Sequence, residues 1–295
     1  MLKLGFIGAG TVATALAVGL IDQGYPVVAV SSRSPESARN LTRLIRGCQA
    51  VPSNQDVADA ADLIFITTPD DAIASVAAGV NWRPENSVVH CSGADSTDIL
   101  EPARKAGACV GVFHPLQTFA SLRQENLHGI TFALEAEEPL LATLKEMATA
   151  LGGRWIEIKA GDKIVYHTAA VFACNYLVTL VKLATDLWQT FGIPPKQAAQ
   201  ALLPLMRGTI NNIDAIGIPQ CLTGPIARGD TGTIKKHLNA LKRVAPELIK
   251  TYQELGLKTI PIALSKGKID DKQADELKAT LSQQPELEET RENNA

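Results

Sequence analysis

The first 160 residues alternate short apolar runs with stretches of helical periodicity, and beyond them the helical period continues alone. "KLGFI", "PVVAVSS", "ADLIFITT", "NSVVHCS" and "GACVGVF" are nearly unbroken apolar runs, as expected of parallel strands covered on both faces. "GITFALE" and "GRWIEI" add later strands, and helices are predicted over Thr11–Asp22, Pro35–Ile45 and Glu138–Leu151. Strand and helix in alternation predict βαβ units and a parallel sheet. After Gly161 long helical patterns follow, over about 163–191, 195–213, 230–255 and 270–282, with Pro194 and Pro195 parting the first two. The chain therefore divides into an α/β domain, 1–160, and an all-helical domain, 161–285. Residues 286–295 are polar and charged, and are expected to form a disordered tail.

Composition then narrows the partners. A net charge of −3 with no block of Lys or Arg argues against nucleic acid and anionic membrane, because both need a concentrated basic patch. Cys48, Cys91, Cys109, Cys174 and Cys221 are scattered and form no CxxC pair. They fit reduced thiols in a cytoplasmic protein better than a disulfide framework or a metal site. The first residues lack a cleavable signal layout, and the longest apolar stretch, Ala169–Val181, is too short to span a bilayer. A soluble, cytoplasmic protein is expected.

The chemistry begins at "GFIGAGTVATAL", where Gly8-x-Gly10-x-x-Ala13 follows a strand and opens a helix. Small residues let the chain turn tightly and approach a pyrophosphate, and the helix start at Thr11 and Val12 offers unpaired N–H groups and a positive dipole end. This is the dinucleotide-binding pattern in its proper context, and it predicts a Rossmann domain. An NAD site usually ends its second strand with an acid, but here the strand ends in "SSRSPE". Ser32, Arg33 and Ser34 suit the 2′-phosphate of NADP; alternatively, Arg33 is solvated and Ser34 caps the next helix. Thr67, Thr68 and Pro69 close the next long strand, and Ser92 and Gly93 a later one, all at the carboxyl edge where open α/β sheets bind ligands. Asp70 is read as a helix cap and His90 as a satisfied core residue.

"GVFHPLQTF" brings His114 and Gln117 to the same edge, with His114 either contacting substrate or bonded to loop backbone. In "GDKIVYHTAAVFACNY", a helix from Lys163 advances roughly 100° per residue. His167 then lies roughly 40° from Lys163, and Asn175 roughly 80° beyond His167. One broad face with small residues between them can supply a proton donor and an amide that orients an oxygen. Lys163 has the alternative of a solvated first-turn residue. "LTGPIARGDTGTIKKHL" adds Thr223, Arg228, Asp230 and His237, where an Arg–Asp pair is either structural or a grip for a carboxylate.

These motifs resemble a Rossmann-like family of unknown function, through "GFIGAGTVATAL", "HCSGA", "HPLQTF", "YHTAAVFACNY" and "LTGPIARGD". That family is similar to ketopantoate reductase, pyrroline-5-carboxylate reductase and 6-phosphogluconate dehydrogenase. The resemblance implies a helical second domain of the 6-phosphogluconate dehydrogenase C-terminal type, which often forms a homodimer. In the hydroxyacid branch the first helix of that domain carries Lys-x-x-x-Asn; here Asn175 matches the asparagine but Val171 stands at the lysine position. The proton donor expected instead is His167, with Lys163 as second choice. The resulting expectation is an NADP-dependent oxidoreductase acting on a small oxo acid, or on a cyclic imine. The rival is a non-catalytic NADP-binding regulator.

Overall fold

The structure, a computed structural model, describes residues 2–120 and 127–283. The expected tail at 286–295 lies outside these residues. Contacts divide the chain into two compact units, one ending at Tyr176 and the other beginning at Leu177.

In the first unit, eight strands form one sheet: β1 (Leu4–Ile7), β2 (Val27–Ser31), β3 (Gln49–Ala50), β4 (Leu63–Ile66), β5 (Ser87–His90), β6 (Cys109–Leu116), β7 (Thr131–Ala136) and β8 (Arg154–Glu157). Their order is β3-β2-β1-β4-β5-β6-β7-β8. Each neighbouring pair is parallel except β6 with β7. The helices of this unit are α1 (Thr11–Asp22), α2 (Pro35–Leu44), α3 (Asn54–Ala60), α4 (Asp70–Ala78), α5 (Glu101–Lys105), α6 (Leu140–Ala150) and α7 (Lys163–Ala170). Every residue of β1 and β4 is buried, as their unbroken apolar sequences require. Phe6, Phe65, Phe113 and Phe132 pack in a row, with successive ring centroids 5.0, 5.8 and 4.7 Å apart, the middle pair edge-on and the outer two stacked. Gly5 lets α3 lie directly on β1, since a Cβ there would meet Val57 Cγ1 at 2.5 Å.

The expected unbroken helix over 163–191 is instead α7, a π turn at Val171–Asn175, and α8 (Tyr176–Gln189). The unit boundary falls within this run, later than the change of texture at 161, because side chains of α7 bond to the sheet edge. Residues Ala160–Gln189 are long and apolar enough to cross a membrane by length and composition, a longer run than the Ala169–Val181 stretch read from the sequence. The second unit adds α9 (Pro195–Ile216), α10 (Thr231–Val244), α11 (Ile249–Ser265) and α12 (Asp271–Leu281). The single helix expected over 230–255 is two: the chain leaves helical geometry at Ala245, and Pro246 opens a new turn leading into α11. A proline lacks the N–H that helix continuation needs and is at ease in a first turn. Ile234, Leu241, Ile260 and Leu277 centre the core of this unit. Asp230 caps α10 by accepting from Thr233 N at 2.9 Å, so its sequence pairing with Arg228 resolves as a cap.

Candidate active site

The glycine loop is built as a cradle. Gly8 has φ +106°, and a Cβ on it would lie 2.7 Å from the Thr67 carbonyl carbon. Only glycine suits both the backbone angle and that approach. Gly10 precedes α1 with no side-chain cap, and no atom stands within 4 Å of where its Cβ would be. The first-turn N–H groups at Thr11 and Val12 therefore begin an uncapped helix beside open space, as an anion site requires. A cavity of about 510 Å³ runs from this loop past Ser32, Arg33 and Asn54 to Thr67, Thr68 and Pro69. Thr68 Oγ1 is buried without a hydrogen-bond partner among the described residues. An orphaned hydroxyl, a bare glycine cradle and a rim with Arg33 and no carboxylate all fit a phosphorylated dinucleotide. Ser34 is a correction: it does not line the cavity, and its hydroxyl caps α2 by accepting from Ser37 N at 3.3 Å.

A second cavity of about 510 Å³ also belongs to the first unit. His114, Gln117 and Thr118 line it from the end of β6 and the segment beyond, and Tyr166, His167, Ala170, Cys174 and Asn175 from α7 and the π turn. Thus His114, His167 and Asn175 do come together. The π turn matters here, because its i→i+5 winding advances fewer degrees per residue than an α-helix. It takes up part of the roughly 80° offset between His167 and Asn175 that α winding alone implies. His114 Nδ1 lies 2.8 Å from the Tyr166 hydroxyl, with the two rings at 89°. Burial first, and then the charge of Lys163, lowers His114 to about 4. Burial raises Tyr166 to about 12, so both groups are neutral at pH 7.

Lys163 does not line this cavity and is not a solvated first-turn residue. It is 2% exposed, and its Nζ donates to the Ser92 carbonyl at 3.0 Å. Ser92, placed near the cofactor by the sequence, lines neither cavity. Its hydroxyl stands 2.9 Å from both Asp70 Oδ2 and Asp95 Oδ2. Asp70 is therefore not a cap: Pro69 holds the N-cap position of α4. His90 is fully buried and satisfied as expected, accepting from Ser92 N through Nδ1 and donating to the Ser96 carbonyl through Nε2. Burial lowers it to about 4. Tyr166 was given no role in the sequence reading of the site, whereas Gly93 was placed at the ligand edge. Tyr166 had a signal, since it follows Lys163 by three residues and so shares its helix face.

Comparisons with known proteins give two family matches along the chain. Residues 3–93 match the family described as NADP oxidoreductase, coenzyme F420-dependent, and residues 130–259 match a domain of unknown function, DUF2520. The Bacteroides fragilis protein BF3122, described as a candidate NADP oxidoreductase, is 29% identical with TM-score 0.71, over 91% of this chain and 98% of that one. Protein TM1727 of Thermotoga maritima is 27% identical with TM-score 0.72, over 90% of this chain and 100% of that one. Pyrroline-5-carboxylate reductase 3 of Bos taurus is 37% identical over 75 residues, a match that spans 25% of this chain and 24% of that protein. Over residues 3–93 the first unit is thus similar to that NADP oxidoreductase family.

Proposed function

We propose that the protein is an NADP-dependent oxidoreductase that reduces a small carbonyl compound, its first unit holding the dinucleotide and the wall of the reacting cavity. The observation that carries this reading is the His114–Tyr166 hydrogen bond in that wall, 2.8 Å long between two groups that are neutral at pH 7. Gly8, Gly10 and the start of α1 would hold the diphosphate, with Ser32 and Arg33 on the 2′-phosphate. When bound, the dinucleotide supplies the hydride. β5 stands between β4, which leads into the wall of the dinucleotide cavity at Thr67, and β6, whose His114 lines the reacting cavity. The Tyr166 phenol would give its proton to the substrate heteroatom, and His114 Nδ1, 2.8 Å away, would hold that hydroxyl in place. His167 and Asn175 line the same cavity and orient the substrate.

A neutral donor pair favours C=O over C=N. Hydride addition to a ketone leaves an alkoxide that needs a proton at once, whereas a protonated imine becomes a neutral amine unaided. A small oxo acid of the ketopantoate kind is therefore the first substrate class. The cyclic imine is the second, and the local match to a pyrroline-5-carboxylate reductase favours it. NADPH consumption by the full chain with ketopantoate-type oxo acids and with pyrroline-5-carboxylate tests this. Turnover of oxo acids above imines is expected; tight NADPH binding without turnover of either would leave the regulatory reading standing.

The natural form is a homodimer. Val178 on α8 and Leu205 and Ile210 on α9 are among the large apolar side chains left exposed, and a second copy would cover them. Cys48, Cys91, Cys109, Cys174 and Cys221 are all free thiols, which suits the reducing cytoplasm.

A further inference from the structure

We infer that Lys163 is a positioning residue: it pins the Ser92–Gly93 peptide beneath His114 and His167, and so sets the geometry and charge of the reacting cavity. The inference rests on reading that cavity as the site of reduction. Lys163 is buried, and its Nζ bonds to a carbonyl 71 residues away in the chain. That carbonyl belongs to the peptide ending at Gly93. A Cβ on Gly93 would sit 2.8 Å from His114 Nε2 and 2.9 Å from His167 Cδ2, so both imidazoles rest against this bare backbone. The other polar atoms of Ser92 are held as well, its N–H by His90 and its hydroxyl by Asp70 and Asp95. A bend fixed at every polar atom of Ser92, carrying two rings on the glycine that follows, is a rigid seat.

The same ammonium acts through space. It faces His90 on β5, His114 on β6, Glu135 on β7, Asp70 at the start of α4, and Cys91 and Asp95 in the loop after β5. His114 also faces His167 and His90, and its Nδ1 meets Tyr166. Burial lowers Lys163 to about 8, with the carboxylates of Glu135, Asp95 and Asp70 opposing that shift, so it remains charged at neutral pH. That charge adds to burial in keeping His114 unprotonated.

The test compares full-length wild type, Lys163→Met and Lys163→Gln by histidine NMR titration, NADPH binding and steady-state kinetics. In Lys163→Met the His114 midpoint should rise from about 4, and kcat should fall about tenfold or more while NADPH affinity holds. Lys163→Gln keeps an N–H donor for the Ser92 carbonyl but removes the charge. It should show the same rise in midpoint, and so serves even where the Met variant does not fold. An unmoved His114 midpoint in a folded neutral variant, or wild-type kcat in Lys163→Met, overturns the inference. The titration needs no substrate, so it still reads Lys163 where wild type binds NADPH and reduces nothing, the result that defeats the functional reading instead.

Discussion

Replacing Tyr166 by Phe deletes one oxygen and keeps the ring, whose centroid lies 5.6 Å from that of His114 in a T-shaped contact. The loss is confined to the 2.8 Å hydrogen bond with His114 Nδ1 and the proton it holds. For stability, a neutral hydrogen bond contributes about 1 kcal/mol, and leaving the part-buried imidazole nitrogen unpaired raises the cost toward about 2 kcal/mol. That predicts a fall in Tm of about 4–8 °C, well short of unfolding the chain at assay temperature. For catalysis, a well-placed general acid contributes about 10²–10⁴-fold, or about 3–5 kcal/mol of activation free energy. The two effects are thus separable in size. NADPH consumption under saturating substrate, measured beside a melting curve and NADPH binding, should show kcat reduced about a hundredfold or more with cofactor affinity unchanged. A folded Tyr166→Phe protein with turnover within about threefold of wild type refutes the role of the phenol, since no general acid is worth so little. His167→Ala supplies the contrast and should cost less; the reverse ranking assigns the proton to His167.

Arg33→Ala should weaken NADPH binding while leaving NADH binding unchanged, because its guanidinium would meet the one phosphate that distinguishes them; equal losses for both refute the assignment. His90 and His114 are both held at about 4 in the fold against 6.5 unfolded, so the unfolded chain binds their protons first as pH falls. Stability is therefore lost from about pH 6.5 down to about 4, by at most about 2 kcal/mol per histidine between pH 7 and 5, and a denaturation midpoint unmoved over that range contradicts it. Val178→Asp or Leu205→Asp should convert the proposed dimer to monomer in sedimentation, since each puts a charge on an apolar side chain some two-thirds exposed in one copy. A wild-type monomer refutes the dimer itself.

The sheet was legible because both its faces are covered. Residues such as Leu63–Ile66 must then be apolar without alternation, and such runs stand out in a chain of ordinary composition. β3 was not legible, since Gln49–Ala50 is two exposed residues whose pairing to β2 is decided by the backbone alone. The helical half shows the opposite difficulty. Pro246 parts α10 from α11, while Pro204 and Pro261 sit inside α9 and α11 without ending them. One residue type has two outcomes, and packing selects between them after local preference has spoken.

The site divides along the same line. His167 and Asn175 could be assigned to one face because helical periodicity is a local property, and both do line one cavity. Their alignment nevertheless depends on the π turn at Val171–Asn175, whose sequence "VFACN" carries no polar or proline signal for altered winding before Asn175 itself. Lys163 shows the limit most sharply. Read along its helix it is an exposed first-turn lysine, since its neighbours Asp162 and Ile164 are indeed exposed. Its burial is imposed from outside the helix, by a carbonyl after β5 and by acids from three other elements whose approach only the assembled sheet provides. A buried ammonium is costly unless paired or hydrogen-bonded, so the fold keeps it where several independent segments have been arranged to receive it. That convergence, absent from any local window of sequence, makes the seat under His114 and His167 a designed part of the reacting cavity, where a solvated lysine would be replaceable.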